Sequence, residues 1–448
     1  MKERQPRSLT VATCFGLLVA IFTLHIAFTS VTNSIAFQEL KRWQQKLALA
    51  LSPLQSKHTG VIQCDRSHKR YDLCSINGTT LLDPTSLTLY KLQPPNFRGP
   101  SIVLKTHPYP RKTDKGAMSK VKELTLTSSS PPTSRCGVTH SSPALVFSTG
   151  GYTTNFFHAF NEGIIPLFIT VNSLFSNRNV TLVITDNRDW WVQKYAELLS
   201  QISIHPIINL DNDKEIHCFP SATIGLITHG TMTVNPNWLP KPKTLVDFRA
   251  FLSKAYTNGN KPKSSNYHKV RRPQMVLLSR KGSVGRVILN QNQVINAAEE
   301  VGFDVVVLKP LINSSLSDAF RLIDRSHVML GVHGAAMTHS LFLRPKSVLI
   351  QVVPIGTEWL SSSCFEFSAK SIGLEYMEYK IGVEESSLVE KYKKNSVVLR
   401  NPKNFVSGNW TKQRVYLKDQ NVKLDLVKLK KCLKEAYGKA KRFMGKED

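Results

Sequence analysis

Acidic residues are scarce in this chain: 32 Asp and Glu stand against 59 Lys and Arg in 448 residues, a formal net charge of +27. That shortage calls for a polyanionic partner, whether nucleic acid, anionic membrane, phosphate-bearing substrate or acidic polysaccharide. Glycine-rich phosphate loops of the G-x-G-x-x-G or Walker kind are missing from both halves, which excludes the two phosphate cradles most readily read from sequence. No internal repeat is present, which excludes a solenoid or propeller. Hydrophobic content of 41% with 20% charged residues excludes wholesale disorder. The length exceeds one ordinary core and fits two domains plus an anchor.

Charge is also absent from residues 9–28, 20 consecutive positions without Lys, Arg, Asp or Glu. At 1.5 Å per residue they span about 30 Å, the thickness of a bilayer core. Lys2, Arg4 and Arg7 precede them, so the positive-inside rule predicts a cytosolic tail (1–8), a transmembrane anchor (9–29) and everything beyond on the luminal side. A cleaved signal peptide is the alternative; the apolar run is long for one and lacks a clean small-x-small site. This topology demotes nucleic acid as the partner. Cys14 lies in the anchor, and six cysteines remain: Cys64, Cys74, Cys136, Cys218, Cys364 and Cys432. An oxidising lumen allows them three disulfides, with Cys64 and Cys74 the nearest local pair; free buried thiols are the alternative. N-x-S/T sequons at Asn77, Asn179, Asn313 and Asn409 all fall on the luminal side.

Residues 30–60 read as a stem, with a helix near 37–51. The Gly, Pro, Ser and Lys-rich segment 258–273 is the best break between an N-terminal domain (61–260) and a C-terminal domain (261–448). After it, apolar runs at 274–279, 303–308, 327–332 and 347–353 alternate with helical stretches at 292–301, 316–325 and from 335. That alternation predicts a parallel sheet covered on both faces. Before it, strands at 144–147 and 181–185 with helices at 155–175 and 190–200 predict a second α/β unit. The basic C-terminal stretch contains an amphipathic helix over 424–437. The fold class is therefore α/β, with ligands expected in a cleft at carboxyl strand ends.

Four constellations carry chemistry. In GGYTTNFFHAFNEG, His158 and Glu162 are spaced i,i+4 and share one helix face, where either can take a proton from an acceptor hydroxyl. In LSRKGSVGRVILN, Arg280 and Arg286 leave a strand end on a glycine-containing loop suited to a diphosphate, followed by Asn290. In GVHGAAMTH, a strand runs through His333, Gly334 and Ala335 into a helix whose N-terminus a phosphate can approach. Asp211 and Asp213 form an Asp-x-Asp that can hold a divalent metal, although short acidic turns are common.

These motifs, together with LDNDKEIHCFPSATIGLITHG, KTHPYPRK (105–112) and CDRSHKRYDLC (64–74), resemble the plant branch of glycosyltransferase family 61, in family order over nearly all the luminal chain. The resemblance implies a GT-B-like fold, two facing Rossmann-type domains with a cleft between them. It implies an inverting, Golgi-located type II membrane enzyme that moves arabinofuranose or xylose from a UDP-sugar onto xylan, or xylose onto an N-glycan, with no essential metal. It places His158 and Glu162 on the acceptor side, and Arg280, Arg286, Asn290, His333, Gly334 and Ala335 around the nucleotide. Implied partners are a UDP-pentose, a xylan or related glycan, the Golgi membrane and other cell-wall transferases, and no nucleic acid. The chain departs at Glu162, where the family pattern has Asp; one extra methylene shifts the carboxylate by about 1.5 Å and strengthens His158 as the rival base. Two other readings compete: a metal-dependent transferase using Asp211 and Asp213, and a non-catalytic glycan-binding subunit of a synthase complex.

Overall fold

The computed structural model describes residues 62–93, 100–132, 135–257, 272–280, 282 and 284–445. The tail, the anchor, the stem and most of the break at 258–273 lie outside the described residues. Among the described residues, no helix is long and apolar enough to cross a membrane.

Two sheets organise the chain. The first contains β1 (Ile62–Asp65), β2 (Leu73–Asp83), β3 (Thr88–Lys91), β4 (Val103–Thr106), β5 (Leu124–Thr127), β6 (Val138–Thr139), β7 (Ala144–Ser148), β8 (Thr181–Thr185), β9 (Ile208–Asn209) and β10 (His217–Ile224). Their path is β4-β5-β3-β2-β10-β7-β8-β9, with β1 on β2 and β6 on β10. Strands β10, β7, β8 and β9 are parallel neighbours, the Rossmann-like part, whereas β2 joins β10 antiparallel. The sequence pattern missed this antiparallel extension, because its strands are short and of mixed polarity. The second sheet is all parallel in the order β12 (Asp304–Leu308), β11 (Gln274–Leu278), β13 (Val328–Val332), β14 (Val348–Val353) and β15 (Glu375–Lys380).

Side chains alternate across each strand, so each sheet feeds two cores. Met275 and Leu277 enter an outer core with the helices Gln291–Val301 and Leu426–Met444, while Val276 and Leu278 face the opposite way. Ala144 and Val146 likewise face outward from the first sheet, and Leu145 and Phe147 inward. Both inward faces belong to one continuous cluster. At its centre runs the helix Leu245–Tyr256, started by a capping box between Thr244 and Asp247. It packs on Ala196–Ile202 from one half and on Leu316–Arg325 and Phe367–Ile372 from the other. Arg249 on this helix pairs with Asp324 and donates to the Leu343 carbonyl at 3.1 Å.

The strands and most helices match the pattern, and four stretches differ. The helix expected over 190–200 breaks at Tyr195 into Asp189–Lys194 and Ala196–Ile202, with the Tyr195 ring buried. The helix expected from 335 is a 3-10 helix, Ala335–Phe342. The helix expected over 155–175 contains a π-helical turn, Ala159–Ile164, between Phe156–His158 and Ile165–Leu174. The terminal helix also runs on to Met444. Disulfides join Cys64 to Cys74 across the β1–β2 pair, and Cys136 to Cys218. A third bridge, which an even count allowed, does not form: Cys364 packs on the shared core and Cys432 on the outer core of the second sheet.

Candidate active site

After β7 the chain turns through Gly150 and Gly151 to Asn155, whose side-chain oxygen accepts the Phe157 amide at 3.0 Å and caps the helix carrying His158. The π-helical turn follows at once, the extra-residue turn that recurs at functional sites. It turns Glu162 into the interior. The Glu162 side chain is 3% exposed and the His158 side chain 25%. Glu162 Oε2 lies 2.9 Å from His158 Nδ1. Its Oε1 accepts from Arg111 Nη1 at 2.9 Å and from Asn161 Nδ2 at 2.8 Å. Arg111 is itself fixed by Asp114 at 2.9 Å, and Asn161 by the Met232 amide at 2.7 Å.

This network decides the His158 tautomer. A carboxylate ion-paired with Arg111 only accepts, so the proton on His158 sits on Nδ1 and the neutral ring keeps its lone pair on Nε2. The orienting carboxylate, the imidazole and the free lone pair reproduce the base half of a catalytic triad. Both Glu162 oxygens already face protein donors, which leaves the Nε2 side of His158 as the open end of the network.

The second constellation gathers at the carboxyl ends of β11 and β13. A sheet ordered 2-1-3-4-5 reverses between its first and third strands, here β11 and β13, and ligands bind at that reversal. Gly285 (φ +68°) and Arg286 (φ +59°) both take left-handed backbone, which costs a non-glycine residue about 1–2 kcal/mol. That conformation folds the Arg286 side chain inward to 8% exposure, where Nη1 donates to the His333 carbonyl at 3.0 Å. Its Nε is buried without a partner. Arg280 donates to the Gly285 carbonyl at 3.1 Å. A Cβ on Gly334 would crowd Arg280 Nη1 and come within 3.3 Å of Arg286 Nη1, so the glycine leaves room for both guanidiniums as they stand. Among the described residues no carboxylate pairs with either arginine. Burial and the neighbouring Arg280 charge push the Arg286 guanidinium down to about 9. Two desolvated cations side by side are a site waiting for an anion.

Two phenylalanine rings bridge the two constellations. The Phe157 ring contacts His158 at 5.3 Å and Phe365 at 5.6 Å, and Phe365 contacts His333 at 5.5 Å. Beside them opens a cavity of about 860 Å³ between the halves, lined by Phe156, Trp190, Lys194, Arg280, Ala335 and His339 among others. Lys194 bridges across it, donating to the Ile312 carbonyl at 2.7 Å.

Other expected residues fall elsewhere. Asn290 is not turned to the cavity: its amide donates to the Leu424 carbonyl and accepts the Leu424 amide, clamping the segment before the terminal helix. Asp211 is held by Lys122 at 2.6 Å and by the Asn187 amide, while Asp213 binds His217 at 3.0 Å and the Glu215 amide. Their oxygens have separate partners and form no chelating pair. Among the described residues, no group of three His, Cys, Asp or Glu is placed to hold a metal. Of the sequons, Asn179, Asn313 and Asn409 are exposed and Asn77 is half-buried on β2. Sequence reasoning missed Arg111, Asn161, Trp190 and Lys194. Arg111 stands in the KTHPYPRK motif, and the signal there was the motif alone; its contact with Glu162 spans 51 positions.

Comparison with known proteins finds a family profile and several relatives. The profile of Glycosyltransferase 61 matches residues 156–350, a span that opens on the helix bearing His158 and closes in β14. The chain is similar to a xylan glycosyltransferase of Arabidopsis thaliana, 35% identical over 96% of this chain and 88% of that protein. It is also similar to an alpha-1,3-arabinosyltransferase of Oryza sativa subsp. japonica, 35% identical over 83% of this chain and 64% of the rice protein. A beta-1,2-xylosyltransferase of the same plant is 32% identical over 84% of this chain and 68% of its own length.

Proposed function

The chain belongs to glycosyltransferase family 61, and from that premise we propose that it moves a pentose, arabinofuranose or xylose, from a UDP-sugar to a xylan backbone with inversion at the anomeric carbon. One observation carries the reading: the uncompensated Arg280–Arg286 pair, held at the β11–β13 reversal against Gly334 and linked through Phe365 and Phe157 to His158.

In a single displacement, the acceptor hydroxyl loses its proton to His158 Nε2 as its oxygen attacks the anomeric carbon. The bond from that carbon to the β-phosphate oxygen breaks, and its electron pair leaves with UDP. Charge grows on the departing diphosphate, so Arg280, Arg286 and the amides at the start of Ala335–Phe342 act mainly on the transition state. Glu162 and Arg111 position His158 and stabilise the imidazolium. The arginines supply the positive charge that a metal supplies elsewhere, and the proposal needs none. It assigns residues 61–260 to the acceptor and 261–448 to the nucleotide. Two disulfides support an oxidising compartment, in accord with a type II Golgi membrane protein whose catalytic region is luminal. The excess positive charge suits a uronate-bearing xylan.

The luminal region incubated with UDP-xylose or UDP-arabinofuranose and xylo-oligosaccharides, in excess EDTA, is expected to give one pentosylated product whose linkage analysis shows inversion. No product from either donor, alongside measurable glycan binding, would favour the binding-subunit reading. Glu162→Asp tests the departure from the family pattern. Shortening the side chain by about 1.5 Å draws the carboxylate away from Arg111 or His158, and a misplacement of that size costs roughly 100-fold in kcat. Donor KM should hold; undiminished kcat would show that the Glu162 reach is immaterial.

A further inference from the structure

Two histidines near the cavity, six residues apart, are held in opposite neutral states, and their hydrogen bonds say which. Gln351, wholly buried on β14, accepts the Tyr376 hydroxyl on Oε1 at 2.9 Å and holds its amide nitrogen 3.0 Å from His333 Nδ1; the same hydroxyl lies 3.3 Å from Glu378 Oε1. An amide nitrogen only donates, so Nδ1 accepts and the His333 proton sits on Nε2. His339 is the reverse. Its Nδ1 lies 2.8 Å from the Ala336 carbonyl oxygen, which only accepts, so Nδ1 carries the proton and Nε2 keeps the lone pair. Burial, with the charges of Arg286 and Arg280, pushes His333 down to about 3; burial pushes His339 down to about 4. Both rings are therefore neutral throughout the range where such an enzyme works. Neither Nε2 has a protein partner among the described residues, and His339, stacked on Phe156 at 4.4 Å, lines the cavity.

We propose that these rings read the bound nucleotide sugar as a donor–acceptor pair: His333 Nε2–H donates to a phosphate oxygen beside Arg280 and Arg286, and His339 Nε2 accepts a hydroxyl of the ribose or of the transferred sugar. Gln351 is the positioning residue for the first. The inference rests on the donor-site reading above. Its chemistry is selective, because phosphate oxygens at neutral pH only accept and are repelled by a ring lone pair, whereas a hydroxyl has a proton to give. Exchanging the two tautomers would set a lone pair against the phosphate and leave a hydroxyl facing an N–H. The ligand class is thus a nucleoside diphosphate bearing free hydroxyls.

Long-range nitrogen–proton correlation spectra of the luminal region with labelled histidine test the tautomers directly. His333 is expected to show the Nε2–H pattern and His339 the Nδ1–H pattern, unchanged between pH 5 and 8. Gln351→Leu should release the His333 pattern alone. Calorimetry tests the reading of the ligand. His333→Phe should weaken UDP by about 10- to 100-fold, as a hydrogen bond to a charged group does. His339→Phe keeps the stack on Phe156 and should weaken binding by roughly 3- to 10-fold, the worth of a neutral hydrogen bond. If the hydroxyl is the ribose's, that loss appears with UDP and vanishes with a deoxyribose UDP; if it is the sugar's, it appears only with UDP-xylose. Matching tautomers, titration between pH 5 and 8, or wild-type affinity in either Phe variant would overturn the inference while the donor site stands. Failure of the wild type to bind UDP would overturn the donor-site reading, and this inference with it.

Discussion

His158→Ala is expected to lower kcat by about 10²- to 10⁴-fold, the range a positioned general base contributes, while UDP affinity stays at the wild-type level. The split follows from position. The His158 ring is a quarter exposed and has its lone pair on Nε2, whereas the proposed diphosphate site lies beyond the Phe157 and Phe365 rings. Glu162→Gln complements it. The amide keeps the shape but loses the charge opposite Arg111 and cannot stabilise the imidazolium, so kcat falls with a changed pH profile. Pre-steady-state transfer from UDP-sugar to a xylo-oligosaccharide, with UDP binding measured in parallel, checks both. Equal losses of UDP binding and kcat in His158→Ala would mean that the ring serves the fold and not the chemistry.

Arg286→Met should separate binding from folding in the opposite sense. Loss of one charge-assisted contact to the diphosphate is worth about 1.5–3 kcal/mol, or roughly 10- to 100-fold in donor affinity. Arg286→Met with Arg280→Ala should remove detectable binding. Stability should not fall with it. The wild-type residue buries a guanidinium with an unpartnered Nε, beside a like charge, in left-handed backbone, and an apolar side chain of similar volume relieves the first two costs. Thermal unfolding of Arg286→Met is expected at the wild-type Tm or a few degrees above it. A steep drop in Tm would show that the arginine holds the β11–β13 crossing together and that its charge is structural.

Much of the frame was legible in residues 274–353 because that sheet is buried on both faces. Runs such as MVLL and VLIQVV admit few alternatives to parallel strands, and the strands and crossover helices lie where the periodicity put them. The first sheet was half legible: its parallel strands showed the same runs, but β2 pairs antiparallel with a partner more than a hundred positions away. The π-helical turn was invisible, since the i,i+4 spacing of His158 and Glu162 reads as ordinary helix. Only the burial of Glu162 distinguishes the two, leaving His158 the more open side chain. Arg111 and Gln351 act through contacts with distant residues that no local pattern encodes. Asn290 failed for a related reason: a polar residue after a basic loop looks like part of the site until its amide is found closing on Leu424.

The inward faces of both sheets share a single apolar seam, and that limits how the enzyme can breathe. Phe160 and Tyr256 from one half lock edge to face or tilted against Phe320 and Phe342 from the other, with Phe248 packed against Phe160. Swinging the halves apart as hinged lobes would strip these rings of their neighbours, at about 1.5–3 kcal/mol for each ring wetted. Turnover through such a scissor motion would be costly on every cycle. The short segment from Lys309 to Ser315 at the cavity rim is held differently, by Lys194 through two backbone carbonyls. Moving that rim would break two contacts of one ammonium group, where a scissor motion would open the whole seam.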